Sequence, residues 1–276
     1  MSATKSGWTA QDGTKIYGQY WAPEGPVKAA VCQVHGLGEH SGRYAHVAEM
    51  LNQNGMALFG YDHRGHGRSD GKRGFIPDYN CLLEEVDTAL EKIRALFPDV
   101  PVFLYGHSWG GNVVANYLVR RQPDVQGAII TGPWLTLTDP PSGFMQAMAK
   151  FMNVILPGLP QNNGLDARHL SHNTDVVQAY RDDPLVHPQV TPRLFVESSA
   201  AAEYALAHAD RVQVPVLLLH GSDDRITSPA GTQAFHDGIV GRKMLKIYEG
   251  FYHEVHNEVE NSLVFADMLQ WLQGRL

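Results

Sequence analysis

Six short apolar runs recur along the chain, and they constrain its fold more than any other feature. They occupy residues 29–34, 56–61, 102–105, 128–131, 214–219 and 244–248. A strand that is apolar at nearly every position is buried on both faces, which is typical of a parallel sheet between two layers of helices. The runs therefore predict a mostly parallel central sheet.

Helical patterns lie between these runs, at residues 44–52, 82–97, 112–120 and 258–272. In the second pattern, apolar residues recur at spacings of three or four, as on one face of an α-helix. These residues are Leu83, Val86, Leu90, Ile93 and Phe97. The alternation of strand and helix predicts an α/β doubly wound domain.

One long segment interrupts this alternation. Residues 134–210 contain no convincing strand, and their helical fragments carry large apolar side chains, among them Phe144, Met148, Phe151 and Ile155. The segment is too long for a loop in a compact domain. We predict a helical lid at residues 134–210 and a core at residues 1–133 and 211–276. The alternative is a second small domain that has no role at the site.

Charge, cysteine content and hydropathy narrow the class of protein. The formal net charge is −7, whereas a nucleic-acid-binding domain needs clustered Lys and Arg, so no nucleic-acid partner is expected. Two cysteines, Cys32 and Cys81, are too few for a disulfide framework and suggest a reducing compartment. The N-terminal residues lack the layout of a secretory signal, and no apolar stretch approaches the ~20 residues of a membrane span. We expect a cytoplasmic protein.

The stretch VFLYGHSWGGNVVANYL, residues 102–118, carries the strongest chemical signal. The pattern Gly-x-Ser-x-Gly is common by chance, but here Ser108 follows a predicted buried strand and precedes a predicted helix, as a nucleophile elbow requires. Gly106 and Gly110 remove side chains that would collide in so tight a turn. The following helix N-terminus favours developing negative charge. The sequence therefore predicts Ser108 to be a catalytic nucleophile rather than a helix cap.

A serine nucleophile needs a base and an orienting acid, which follow it in the order Ser, Asp or Glu, His in this fold. The stretch HGSDDRIT offers Asp223 and Asp224 after a late strand, and the residues alone leave this choice open. The stretch EGFYHEVHNE offers His253 and His256. His253 is favoured because it comes first after the last strand, whereas His256 is expected to begin the terminal helix.

Neither a metal nor an organic cofactor is predicted. Two histidine pairs, His63 with His66 and His169 with His172, have a spacing of three, which matches no zinc-protease pattern. We interpret them as polar groups of loops and of the lid.

An oxyanion hole needs two backbone N–H donors. One belongs to the residue after the nucleophile, which is Trp109, and the other to a loop after an early strand. The stretch VHGLGEHSGRY, residues 34–44, supplies such a loop, with Leu37 as the expected donor.

Several motifs together resemble the monoacylglycerol lipase and lysophospholipase group of α/β-hydrolases. They are HGLGEHSGRY, YDHRGHGRSDG, GHSWGG, DPLV, HGSDDRIT and KIYEGFYHEVHNE, and the similarity covers nearly the whole chain. The resemblance implies an α/β-hydrolase fold and a triad of Ser108, Asp224 and His253. Asp224 is chosen because the family aspartate directly precedes the position of Arg225. The family usually has Met where this chain has Trp109, so a larger ring is expected to narrow the acyl entrance.

The resemblance also implies an activity. It predicts hydrolysis of esters of single-chain lipids, above all monoacylglycerol, through an acyl-enzyme. A lysophospholipase or a broader carboxylesterase is the alternative, and a non-catalytic ligand-binding homologue is a more remote one. The apolar lid residues Phe144, Met148, Phe151 and Ile155 suit a single acyl chain and transient contact with a membrane or micelle surface. They could equally serve only to pack the lid onto the body.

Overall fold

The computed structural model describes residues 2–276, and an eight-stranded sheet lies at its centre. The strands are β1 (Thr4–Lys5), β2 (Trp8–Thr9), β3 (Lys15–Ile16), β4 (Gly18–Trp21), β5 (Ala29–Val34), β6 (Met56–Tyr61), β7 (Val102–His107), β8 (Gly127–Thr131), β9 (Gln161–Asn162), β10 (Gln189–Val190), β11 (Val216–Gly221) and β12 (Lys243–Tyr248). The α-helices are α1 (Ala45–Gln53), α2 (Asn80–Leu96), α3 (Trp109–Arg121), α4 (Gly143–Ile155), α5 (Thr174–Asp182), α6 (Pro192–Ala207), α7 (Pro229–Gly238) and α8 (Asn261–Gln273).

The main sheet is mostly parallel, as the apolar runs predict. Its strand order is β1-β4-β6-β5-β7-β8-β11-β12, and only β1 and β4, at one edge, pair antiparallel with their neighbours. Val34 at the end of β5 pairs with Gly106 of β7, and Gly221 at the end of β11 pairs with Tyr248 of β12. The loops that follow these strands therefore emerge at one edge of the sheet, where ligands bind in open α/β sheets.

Two layers of helices bury the two faces of the sheet. Side chains of α1 and α8 form one apolar cluster, and side chains of α2, α3, α6 and α7 form the other. Residues of β5 alternate between them: Ala30 and Cys32 face the second cluster, whereas Val31 faces the first. Because both faces are covered, a central strand needs an apolar side chain at nearly every position.

The last strand differs from the expectation that it is buried on both faces. β12 lies at the edge of the sheet, and Tyr248 is its only buried residue, the other five being exposed or partly buried. Met244 and Ile247 are exposed, and the Lys246 ammonium pairs with Asp267 of α8. A charged residue on an edge strand opposes pairing with another chain.

The chain between β8 and β11 contains α4, α5 and α6 together with a small ribbon formed by β9 and β10. The sequence did not predict this ribbon, because each of its strands has only two residues. Helix α4 has no buried residue, whereas α6 packs Leu194, Ala201 and Ala205 into the same apolar cluster as α3. No helix among residues 2–276 combines the length and the apolar character needed to cross a membrane.

Candidate active site

Ser108 occupies a strained turn between β7 and α3. Its backbone has φ 55° and ψ −118°, a conformation that non-glycine residues rarely adopt. The Ser108 N–H donates to the carbonyl of Thr131, and the Ser108 carbonyl accepts from the N–H groups of Asn112 and Trp134. Such strain persists only where the surrounding structure holds the backbone, and it is common at functional sites.

The two flanking glycines allow β7 and α3 to approach each other. A Cβ on Gly106 would lie 2.6 Å from the carbonyl oxygen of Gly110. A Cβ on Gly110 would overlap the carbonyl oxygens of Val34 and His35 at the end of β5. No side chain fits at either position, so the turn that presents Ser108 requires glycine on both sides.

The structure brings Ser108, His253 and Asp224 into one hydrogen-bonded chain. The distance between Ser108 Oγ and His253 Nε2 is 2.9 Å, and His253 Nδ1 lies 2.7 Å from Asp224 Oδ2. Asp224 follows β11 and His253 follows β12, so neighbouring strands carry both groups to the edge where β7 ends. With the Nδ1 proton directed to the carboxylate, Nε2 is free to accept the Ser108 hydroxyl proton.

The structure distinguishes Asp223 from Asp224, the two candidates for the acid between which the local sequence did not decide. Asp223 is exposed, and its carboxylate accepts a hydrogen bond from the Ser222 hydroxyl. Asp224 is 3% exposed, and its Oδ1 accepts from the backbone N–H groups of Ile226 and Thr227. These two backbone donors hold the Asp224 carboxylate with Oδ2 toward His253.

A second imidazole contacts the same carboxylate, and sequence reasoning missed it. His220 Nε2 lies 2.9 Å from Asp224 Oδ2, and His220 Nδ1 lies 2.7 Å from the Thr232 hydroxyl. The Thr227 hydroxyl also donates to Asp224 Oδ2. The only signal in the sequence is that His220 precedes Asp224 by four residues at the end of β11.

Electrostatics favours an ionised Asp224 and shifts the titration of His253. Burial opposes the charge of Asp224, but the neighbouring His253 and His220 hold the pKa of this carboxyl well below its usual range. Burial lowers the pKa of His253. The charge and hydrogen bond of Asp224 raise this pKa by more than burial lowers it, and the charges of Glu254 and Glu39 raise it further. The net result is a raised His253 pKa. A carboxylate that stabilises the imidazolium in this way makes the imidazole a stronger base.

The two expected oxyanion donors adjoin Ser108, with Leu37 in the loop after β5 and Trp109 at the first position of α3. Leu37 is half-buried and lines the cavity above Ser108. The loop that carries it is held by Glu39, whose Oε1 accepts the Gly36 N–H at 2.6 Å. Trp109 is the first residue of α3, so its N–H has no acceptor within the hydrogen-bond ladder of the helix.

The Trp109 side chain points away from the cavity. Its ring is fully buried, packs against His63 and His66, and donates its Nε1 hydrogen to the Ser198 hydroxyl on α6 at 2.8 Å. The ring is not among the residues that line the cavity. The expectation that it narrows the acyl entrance is therefore wrong, because the turn at Ser108 directs the next side chain beneath α6.

A cavity of about 390 Å³ opens above Ser108 and His253. Much of its wall is apolar, from Leu37, Trp134, Leu137, Leu170, Val190, Phe195 and Ile226, and the chain between β8 and β11 supplies several of these. The polar part of the wall includes Glu39, His169, Arg225 and Glu254. Its volume and mixed lining are those of a small-molecule site.

A buried ion-pair group on the cavity wall was also missed by sequence reasoning. Arg43 Nη1 contacts Glu39 Oε2 and Glu254 Oε1, each at 2.6 Å, and Arg43 Nη2 contacts Glu254 Oε2 at 2.8 Å. Two carboxylates and one guanidinium leave a net charge of −1. Arg43 offsets the burial of Glu254 and holds the pKa of that carboxyl well below its usual range. The group joins the loop of Leu37 to the loop of His253.

The four apolar residues proposed for substrate binding in the lid are not brought to this cavity. Phe144, Met148, Phe151 and Ile155 are exposed on α4, and none of them lines the cavity. The inserted segment contacts the loop of His253 through residues that follow α4. The carbonyls of His169 and Leu170 accept the N–H groups of His253 and Glu254.

His256, His63 and His66 are buried, and none of them lines the cavity. His256 lies in a short 3-10 helix before α8, fully buried, with its ring 4.8 Å from that of His107 and stacked on Tyr44. His63 and His66 lie in the loop that follows β6, where the sequence interpretation placed them, and their side chains are buried. Over residues 2–276, no cluster of three or more His, Cys, Asp or Glu side chains could hold a metal ion.

Comparison with known proteins places this geometry in a family. The family model described as serine aminopeptidase, S33 matches residues 25–260. The chain is 33% identical to monoacylglycerol lipase of Mycolicibacterium smegmatis, with 100% of each chain covered. It is 35% identical to human monoglyceride lipase, covering 96% of this chain and 88% of the human one. The crystal structure of Paleococcus ferrophilus monoacylglycerol lipase superposes with a TM-score of 0.87 at 34% identity, covering 95% of this chain and 99% of that one. These similarities confirm the α/β-hydrolase fold, and the chain belongs to the serine aminopeptidase S33 family of serine hydrolases, in the group that includes the monoacylglycerol lipases.

Proposed function

We propose that the protein hydrolyses carboxylic esters of single-chain lipids, with monoacylglycerol as the preferred substrate. The observation that carries the proposal is the Ser108–His253–Asp224 chain at the floor of a largely apolar cavity of about 390 Å³. A cavity near the lower end of the usual range for ligand sites suits one acyl chain better than two. The relatives named as monoacylglycerol and monoglyceride lipases support the same substrate.

The proposed reaction passes through an acyl-enzyme. His253 takes the proton of the Ser108 hydroxyl as Ser108 Oγ attacks the ester carbonyl carbon, while the N–H groups of Leu37 and Trp109 bind the oxyanion. His253 then gives this proton to the departing glycerol oxygen. Water, deprotonated by His253, attacks the acyl carbonyl carbon. The bond to Ser108 Oγ then breaks, His253 gives the proton to Ser108 Oγ, and the fatty acid is released. Asp224 holds the imidazole in the required tautomer and stabilises its charged form.

We further propose that residues 134–210 act as a lid over the cavity. Leu170, Tyr180, Val190 and Phe195 all line the cavity and come from separate parts of this segment. A substrate that enters would therefore be enclosed between the segment and the sheet edge, which keeps water from the acyl chain. The last helix of the segment, α6, differs from the rest because it also packs in the core.

The substrate proposal is tested by steady-state kinetics on a panel of esters. We expect kcat/KM for a monoacylglycerol to exceed the values for the matching diacylglycerol and lysophosphatidylcholine by about tenfold or more, which corresponds to about 1.4 kcal/mol of transition-state binding. An aminoacyl p-nitroanilide tests the peptidase chemistry that the family description suggests. Higher kcat/KM on lysophosphatidylcholine or on the anilide would overturn the proposed substrate while leaving the serine mechanism intact.

The acid limb of the pH profile tests the environment of His253. Because its pKa is raised and the neutral form is the base, kcat/KM should fall as pH decreases through a value above 6.5, the reference value for histidine. Replacing Glu254 by Gln removes a negative charge that favours the imidazolium. The midpoint should therefore move to lower pH, by about half a unit.

Glu249→Gln is a matched control for the Glu254 experiment. It makes the same charge change in the loop before His253, but Glu249 is exposed and its charge is screened by water and salt. Its midpoint should stay at the wild-type value. A Glu254→Gln midpoint that does not move, or that moves upward, would contradict the proposed role of this carboxylate.

We propose that the exposed apolar face of α4 contacts a lipid surface while substrate is taken up. Phe144 is 75% exposed and Phe151 58% exposed, and neither belongs to the two apolar clusters of the core. The double variant Phe144→Ser/Phe151→Ser should bind zwitterionic vesicles at least about tenfold more weakly, because each ring contributes about 1.5–3 kcal/mol when buried. Val240→Ser changes an equally exposed residue away from α4 and serves as the control. Wild-type protein that does not bind the vesicles in flotation would refute the contact.

A further inference from the structure

A buried row of polar side chains joins the nucleophile helix α3 to the inserted helix α6. Trp109 Nε1 donates to Ser198 Oγ at 2.8 Å, Asn112 Nδ2 donates to the Ser198 carbonyl at 3.2 Å, and Asn116 Nδ2 donates to the Ala201 carbonyl at 2.9 Å. The three donors are spaced three and four residues apart and so lie on one face of α3. All three are completely buried. A row of this kind fixes the position of α6 against α3.

The bond between Trp109 and Ser198 differs from the other two because of where Trp109 lies. Trp109 directly follows Ser108, whose backbone is held in a strained conformation, and the Trp109 peptide N–H is a proposed oxyanion donor. The side chain and the catalytic N–H therefore belong to the same residue. A donor stabilises the oxyanion fully only when its N–H bond points at the position that the oxyanion occupies.

The indole is held on several sides, and among residues 2–276 the Ser198 hydroxyl is the only hydrogen-bond partner of its Nε1–H group. His63 and His66 pack against the ring with centroid distances of 4.8 and 5.3 Å. These contacts restrict the plane of the ring, whereas the hydrogen bond to Ser198 restricts its rotation and its depth beneath α6. If Ser198 lost its hydroxyl, the buried Nε1–H would have no acceptor, and the ring would have to shift to find one.

We propose that Ser198 is a positioning residue for catalysis, which holds the Trp109 indole so that the Trp109 peptide N–H points at the oxyanion. Ser198 touches no reacting atom and acts through Trp109. The inserted helix α6 thereby contributes to transition-state stabilisation from below the active site, in addition to covering it. This inference rests on the proposed ester hydrolysis.

The test compares Ser198→Ala with two variants that separate positioning from packing. Ser199→Ala removes the neighbouring hydroxyl of α6, which makes no hydrogen bond in the described chain. Asn116→Ala breaks the α3–α6 row two turns away from Trp109. We expect Ser198→Ala to lower kcat about tenfold with KM within twofold, a fraction of the 10²–10³ lost with a whole oxyanion donor. Ser199→Ala should match wild type, and Asn116→Ala should lower Tm with kcat little changed.

A trifluoromethyl ketone inhibitor supplies a readout that a purely structural role would not move. It adds reversibly to Ser108 Oγ and places an oxyanion at the donors, so its Ki should rise in Ser198→Ala by the same factor by which kcat falls. In the double variant Trp109→Phe/Ser198→Ala, donor and acceptor are both gone. Its kcat should therefore be no lower than that of Trp109→Phe alone, because the two residues act as one unit.

The outcomes distinguish this inference from the proposed function. Wild-type kcat and Ki in Ser198→Ala, or equal losses of kcat in Ser198→Ala and Asn116→Ala at equal Tm, would overturn the positioning role and leave ester hydrolysis in place. Turnover that survives in Ser108→Ala would overturn the proposed function itself. Should Ser198→Ala not fold, Trp109→Phe gives the same comparison from the other partner.

Discussion

Replacing Ser108 by Ala should lower kcat for ester hydrolysis by about 10⁴- to 10⁶-fold, the loss seen when a serine hydrolase is deprived of its nucleophile. Without the hydroxyl, no acyl-enzyme forms, and His253 has no alcohol to activate. The measurement is fatty-acid release from monoacylglycerol, together with covalent labelling by a fluorophosphonate. Wild-type protein should be labelled and the variant should not.

Ser108→Gly is a second variant that should lose the same activity as Ser108→Ala but should be more stable. Both variants lack the hydroxyl, but only glycine adopts φ near 55° without strain. Relief of about 1–2 kcal/mol should give Ser108→Gly a Tm several degrees above that of Ser108→Ala. Near-wild-type turnover in either purified variant would eliminate the serine mechanism. Equal Tm values would mean that the turn is not strained.

Replacing Asp224 by Asn should lower kcat by about 10⁴-fold. The side-chain amide has nearly the same shape, but it removes the negative charge that stabilises protonated His253. An amide NH₂ that faced Nδ1 would also favour the wrong tautomer of the imidazole. The expected loss is therefore in kcat, with a smaller change in KM.

Asp223→Asn is the matched control, because it makes the identical change at the adjacent residue. The Asp223 carboxylate is exposed and contacts Ser222 rather than the imidazole, so kcat should stay within about twofold of wild type. Because Asp224 also accepts from His220 and two backbone N–H groups, its variant should be assayed well below its own Tm. A larger loss of kcat in Asp223→Asn than in Asp224→Asn would contradict the assignment of the acid.

Predictions from the sequence were most successful where the pattern reflects a local requirement. The mostly apolar runs predict buried parallel strands because a central strand of a covered sheet has no face open to water. This held for β5, β6, β7, β8 and β11. The prediction was wrong for β12. This strand pairs with a single neighbouring strand, β11, and its apolar side chains Met244 and Ile247 are exposed. Whether a strand lies at an edge depends on strand order, which a single run of residues does not contain.

In the candidate site, too, the features that depend on neighbouring residues were predicted, whereas those that depend on tertiary contacts were not. Gly106, Ser108 and Gly110 lie within five consecutive residues, and the tight turn between strand and helix follows from those three residues. The contacts of His220 with Asp224 and of Arg43 with Glu254 could not be predicted, since a buried charged side chain is identified only by the partner that folding supplies. The four apolar residues of α4 were expected at the substrate, but their periodicity does not show which surface a helix faces.

The sequence by itself determined the α/β class and the elbow at Ser108, because each strand, each helix and the elbow follow from residues close together in the chain. Only the tertiary structure decided that the Trp109 ring lies beneath α6 rather than in the cavity, and that Glu39, Arg43 and Glu254 share one buried wall. These arrangements join segments up to 211 residues apart. The physical reason is that side-chain direction and burial at such contacts depend on how the helices and the sheet pack, and packing is a property of the whole chain.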